Sequence, residues 1–177
     1  MFSMIDYREE FFVRLYRCWL IVSMLGFNKK GDKILSIKKA AFFDFLVRNP
    51  KSFHDFLVKF ERIPKEAPYK EVLYSSNIGY GAFQDYQDFL KSVLVLESEG
   101  YLEITRAGDD FLVVPTNKKF AQEMIPPSTW QINIGLLKPL VSKSLSVLYK
   151  GVLANEYGKK PLYLCEENYY PRCKLFV

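Results

Sequence analysis

Residues 81–115 hold the feature that most restricts the fold of this chain: one change of hydrophobic period, from helical to strand-like, with a glycine at the change. The segment reads GAFQDYQDFLKSVLVLESEGYLEITRAGDDFLVVP. Phe83, Tyr86, Leu90, Val93 and Leu94 recur at spacings of three and four, which puts them on one face of an α-helix. Gln84, Asp85, Asp88, Lys91 and Ser92 occupy the other face. Gly100 stands where a left-handed residue commonly ends a helix. Beyond it Tyr101, Glu103 and Thr105 alternate with Leu102, Ile104 and Arg106, Ala107-Gly108-Asp109-Asp110 has turn chemistry, and residues 111–114 form a second short strand stopped by Pro115. A helix that runs straight into a hairpin is the helix-plus-wing half of a winged-helix domain. Any other α+β domain with a helix–hairpin unit is the alternative.

The flanking chain adds helices. Residues 7–26 predict a first helix whose Phe11, Phe12, Leu15, Tyr16, Trp19, Leu20, Val22 and Met24 leave little polar face beyond Arg14 and Arg17. Such a helix is covered on several sides, as the central helix of the core or against another subunit. Residues 28–33 are a polar loop. Ser36 is placed to cap a helix over residues 37–48, which Asn49-Pro50 ends because the residue before proline disfavours the α region. A third helix is expected over residues 52–60, a proline-containing linker over 63–69, and a flexible joint at Gly79-Tyr80-Gly81. After the hairpin, Thr116 is expected to cap a helix over residues 117–124, and Pro126-Pro127 marks a subdomain boundary. A long helix is expected over residues 136–157, with Pro139 in its first turn, and two strands over 161–165 and 173–177. The expected architecture is α+β and mostly helical: a winged-helix domain over residues 1–125, then a C-terminal helix and short β-hairpin over residues 126–177.

Three cysteines, Cys18, Cys165 and Cys173, and no recognisable signal peptide point to a reducing compartment and a cytoplasmic location. The most apolar run, residues 19–27, is far short of the roughly 20 residues a membrane span needs. The net charge of +5 is local: residues 26–72 hold eleven Lys/Arg against six Asp/Glu, and the remainder holds fourteen of each. Lys29, Lys30, Lys33, Lys38 and Lys39 are therefore the residues expected to touch a DNA backbone, without reading its sequence. A solvated surface accounts for the same residues.

No constellation for catalysis emerges. His54 is the one histidine, so Ser–His–Asp and Cys–His nucleophile arrangements lack support. Gly79 and Gly81 are not followed by the other glycines of a phosphate loop, and no metal-ligand spacing occurs. Glu97, Glu99 and Glu103 read as a solvated face. The helix before the hairpin is a poor DNA reader, with Asp85, Asp88 and Glu97 against Lys91. The expectation is a non-enzymatic interaction protein without metal or cofactor. Its partner surface is expected at Phe11, Phe12 and Trp19 in the first helix and at Leu140, Leu145 and Leu148 in the C-terminal one.

The segments YREEFFVRLYRCWLIVSMLG, KILSIKKAAFFDFLVRNP and LESEGYLE, spread over roughly the first two thirds of the chain, resemble the small middle component of bacterial ABC-three-component systems. This family is similar to the small subunit of the Lamassu anti-phage complexes. The resemblance implies a non-catalytic subunit assembled with an SMC-like ATPase and an effector, in anti-phage or anti-plasmid defence. ATP, magnesium and any nuclease activity would belong to those partners. Because winged-helix regulators share the helix, Gly-Tyr-Leu and wing pattern, a free DNA-binding transcriptional regulator is the alternative.

Overall fold

The computed structural model describes residues 11–63, 78–120 and 128–153, excepting the side chains of residues 51, 78–85, 128–129 and 153. These residues form a mostly helical α+β structure: α1 (Phe11–Leu25), α2 (Ile37–Arg48), α3 (Pro50–Lys59), α4 (Ile78–Ser98), the strands β1 (Leu102–Ala107) and β2 (Asp110–Pro115), α5 (Ser128–Leu137) and α6 (Leu145–Leu153).

Helix α1 is central. Leu15, Tyr16, Cys18, Leu20, Ile21, Val22 and Leu25 are buried, because α2, α4, α5 and β2 all pack on it. This is the arrangement its nearly all-round apolarity demands. Helix α2 is covered just as fully, from Ala40 to Val47. Its limits follow from capping: Ser36 Oγ accepts the Lys39 N–H at 3.3 Å, and at the other end the Asn49 side chain donates to the Phe45 carbonyl at 2.6 Å. Pro50 then occupies the first turn of α3, where a missing N–H costs nothing.

Helix α4 begins at Ile78, so Gly79, Tyr80 and Gly81 are helical and not the expected joint. Glycine costs a helix only about 1 kcal/mol per residue relative to alanine, which packing of the following turns outweighs. Phe89, Val93 and Leu96 are the buried side of α4, and Leu94 is on the outside. Gly100, at φ 75°, closes the helix: its N–H donates to the Glu97 carbonyl and that of Tyr101 to the Leu96 carbonyl, each at 2.8 Å. The chain passes directly into β1, which pairs antiparallel with β2 from Leu102 opposite Pro115 to Ala107 opposite Asp110. Gly108 supplies the positive φ of 62° that the two-residue connection needs. Residues 34–36 line the other edge of β2: Ser36 bridges Leu112, and the Val113 N–H donates to the Leu35 carbonyl at 2.9 Å.

The C-terminal region departs from expectation. Residues 136–157 do not form one helix. Helix α5 tightens into a 3-10 turn at Lys138–Leu140, the chain turns, and α6 starts after Ser144, whose carbonyl accepts the N–H groups of Val147 and Leu148. Lys39 Nζ takes the Val141 carbonyl at 2.7 Å, satisfying an acceptor that a continuous helix would have used internally. The helix expected over residues 117–124 is also not seen up to residue 120. Thr116 instead donates its hydroxyl to the Gly100 carbonyl at 2.7 Å. The proposed boundary at residues 125 and 126 lies outside the described residues, as do residues 161–177 and the expected linker from residue 64. Past that boundary, Ile134, Leu137, Leu140, Val141 and Leu148 join the same buried cluster as α1, α2 and α4.

An ion pair ties this core together. Arg17, 1% exposed, donates from Nε to Asp44 Oδ1 at 2.6 Å, and Arg48 Nε reaches Asp44 Oδ2 at 3.0 Å. The Arg17 guanidinium lies 5.4 Å from the centroid of the Trp130 ring, so α1, α2 and α5 meet at one buried charge cluster. Removing one member leaves a buried charge uncompensated. Asp44→Ala is therefore expected to lower the unfolding free energy by about 3–5 kcal/mol in urea denaturation, and an unchanged midpoint would contradict this role. The α3–α6 contact is equally tight at Gly151, where a Cβ would stand 2.6 Å from Phe60 Cε2 and 2.9 Å from Phe56 Cδ2. Gly151→Ala is expected to cost about 1–3 kcal/mol in the same assay.

Candidate functional surfaces

The lysines expected to contact DNA do not form one surface. Asn28 Oδ1 accepts the backbone N–H groups of Lys30 and Asp32 at 2.8 and 2.9 Å, which fixes a tight turn with Gly31 at φ 85°. Lys29 and Lys30 are exposed on this turn. Lys33 instead reaches across the sheet to β1, where its ammonium meets Glu103 at 2.6 Å and Thr105 at 2.9 Å. The Lys33 hydrogen bond, assisted by that of Thr105, holds the Glu103 carboxyl below the usual range. Lys38 is exposed at the start of α2. Lys39 is bound to the Val141 carbonyl, and its pKa is lowered by partial burial, with nearby Asp110 acting in the opposite direction. Two of the five ammonium groups thus serve internal contacts, and acidic residues of the hairpin offset the set.

The expected partner residues divide in the same way. Phe11 and Phe12 are 47% and 61% exposed at the start of α1, with their rings edge to face at 5.7 Å. Trp19 is half-buried in an aromatic cluster, 5.8 Å from Tyr16 and 5.4 Å from Phe120, and Phe120 in turn stacks on Tyr101 at 4.5 Å. Leu140 and Leu148 are not surface residues: both are fully buried in the core. Leu145 is half-buried against the same core. Their apolar spacing reads equally well as an interface or as core, and the fold uses it as core. Exposed apolar side chains that the periodicity did not single out include Ile132 on α5, 64% exposed, Phe111 near the hairpin tip and Phe27 after α1. Leu94 on α4 is also exposed, although its spacing placed it on the inner face. Ile132 carries no sequence signal, because along α5 Ile132, Ile134 and Leu136 alternate with Gln131, Asn133 and Gly135 and leave no distinct apolar face.

The outer face of α4 presents Gln87, Lys91, Leu94, Glu97 and Ser98 to solvent, a surface with no excess of positive charge. Asp88 is shared between Lys91 at 3.3 Å and Arg14 at 3.5 Å. His54 is buried on α3 with Nδ1 3.4 Å from the Asp55 carboxylate. Among the described residues no three His, Cys, Asp or Glu side chains are grouped to hold a metal ion, and no helix is long and apolar enough to cross a membrane. Comparison with protein families, with curated proteins and with solved structures finds no match to this chain.

Cys18 is sealed in the core beside the charge cluster. Burial, reinforced by Asp44 and opposed by Arg17, pushes its thiol well above the ordinary range. Alkylation of the native protein followed by peptide mass mapping is expected to leave Cys18 unmodified, with full modification in denaturant. Rapid native labelling would show that α1 opens readily.

Proposed function

We propose that this chain is a non-catalytic assembly subunit that docks on an SMC/ABC-type ATPase beside an effector, in a cytoplasmic anti-phage or anti-plasmid defence complex. The observation that carries the docking reading is the exposure of Phe11 and Phe12 on a helix that is otherwise covered on all sides. Two adjacent aromatic rings in solvent are poor tenants of a free surface and good anchors for an interface. The nature of the partner rests on the resemblance of the N-terminal segments to the middle component of three-component systems.

In this proposal α1, α2, α4 and the β1–β2 hairpin constitute a winged-helix unit. The pairing of residues 34–36 with β2 and the direct passage from α4 into β1 support that reading. The nearly neutral outer face of α4 favours protein docking over the reading of base edges by this helix.

The double substitution Phe11→Ser, Phe12→Ser is expected to weaken assembly by about 2 kcal/mol or more, roughly thirtyfold in Kd, while the exposed positions leave the melting temperature nearly unchanged. Native mass analysis of the complex purified from its own operon reads the partner retention that this loss of affinity lowers. Retention of an ATPase partner by the double variant at wild-type stoichiometry would remove Phe11 and Phe12 from the interface. A wild-type monomer or homodimer with no ATPase, bound to one preferred duplex, would instead establish a free regulator.

A further inference from the structure

Folding brings together a basic surface from two stretches far apart in the chain. No Asp or Glu occurs between Glu123 and Glu156, and this stretch carries Lys138, Lys143 and Lys150. Its helix α6 packs on α3, with Gly151 against Phe56 and Phe60. At this seam Lys59 Nζ donates to the Lys150 carbonyl at 2.6 Å, and Lys143 Nζ lies 5.7 Å from the centroid of the Phe60 ring. Arg62 follows directly, its N–H bound to the Leu57 carbonyl at 2.8 Å. Lys59, Arg62, Lys143 and Lys150 are all exposed. The described carboxylates of α3 and its end are Glu61, exposed beside Arg62, and Asp55, which faces His54.

We infer that the α3–α6 seam, through Lys59, Arg62, Lys143 and Lys150, is a contact surface for the phosphate backbone of nucleic acid. Lys59, unlike the partly buried Lys39, is exposed, so its ammonium uses one N–H on the Lys150 carbonyl and keeps two for phosphate, and Lys143 lies over the Phe60 ring; both are held at the seam, which lowers the entropy lost when phosphates bind. Exposed Ser142, Ser144 and Ser146 add hydroxyl donors next to Lys143. Lysine and serine are ordinary phosphate partners, whereas lysine is depleted from protein–protein interfaces, so the surface fits nucleic acid better than an acidic protein. Contacts of this kind position a duplex without reading its sequence. The inference does not rest on docking to an ATPase, since the surface belongs to this chain alone.

The test is fluorescence anisotropy of the isolated full chain with two duplexes of unrelated sequence, over a salt series. Wild type is expected to bind both with similar affinity and a steep salt dependence. Lys143→Glu, Lys150→Glu is expected to reduce the slope of log affinity against log salt by about 2, with an unchanged melting temperature, and Lys143→Gln, Lys150→Gln to do so without adding negative charge. Lys29→Glu, Lys30→Glu is expected to leave the slope near wild type. A wild-type slope in both seam variants, or a wild-type chain that binds poly-glutamate but neither duplex, would overturn the assignment. Assembly with the ATPase is read separately by the Phe11 and Phe12 variant, so the two proposals fail independently.

Discussion

The contact between Arg17 and Asp44 determines how the helices can be arranged. A guanidinium in the middle of an apolar, largely buried helix is tolerable only beside an opposite charge, since an unpaired ion in the interior costs far more than the folding free energy of a small domain leaves available. Asp44 sits on α2 where it answers Arg17 with one oxygen and Arg48 with the other. The pair fixes α1 against α2 at one level, because sliding either helix by a turn would strand both charges. Trp130 lies over the guanidinium and so brings α5 to the same place. A well-packed apolar cluster of equal volume could match this stability.

Once these helices are placed, much of the remaining charge is spoken for. Lys33 crosses the sheet to Glu103, Lys39 closes the carbonyl left by the break before α6, and Lys118 donates to the Glu99 carbonyl beyond α4 while lying over the Tyr101 ring. The basic excess that looks concentrated along the chain is therefore spread over several faces. Packing of α3 on α6 concentrates a different set of cations. The apolar side chains follow the same logic. Leucines near the C-terminus that resemble an interface are consumed by the core, and the aromatic pair at the start of α1 is left outside.

Much of the fold was legible because it depends on short-range chemistry. Ser36 and Asn49-Pro50 bound α2, Gly100 ends α4, and Gly108 turns the hairpin, each through backbone geometry that neighbouring residues impose. The break within residues 136–157 was not legible. Its apolar residues keep a helical spacing, and the interruption is stabilised by Lys39, about a hundred positions away. The surfaces were legible only in part. Phe11 and Phe12 stood out as an excess of apolar residues on one helix, but spacing cannot tell which of two apolar faces will find a neighbour.

The sequence by itself determined α1, α2 and α4, both ends of α2, the glycine that ends α4 and the passage from helix to hairpin, for these follow from periodicity, capping and turn geometry. Tertiary structure alone decided which apolar side chains are core and which face solvent, which lysines are occupied, and that Arg17 is an interior residue. The physical reason is that burial and electrostatic pairing depend on distances between segments remote in sequence. No local pattern encodes the position of Asp44 beside Arg17 or of Lys59 beside α6.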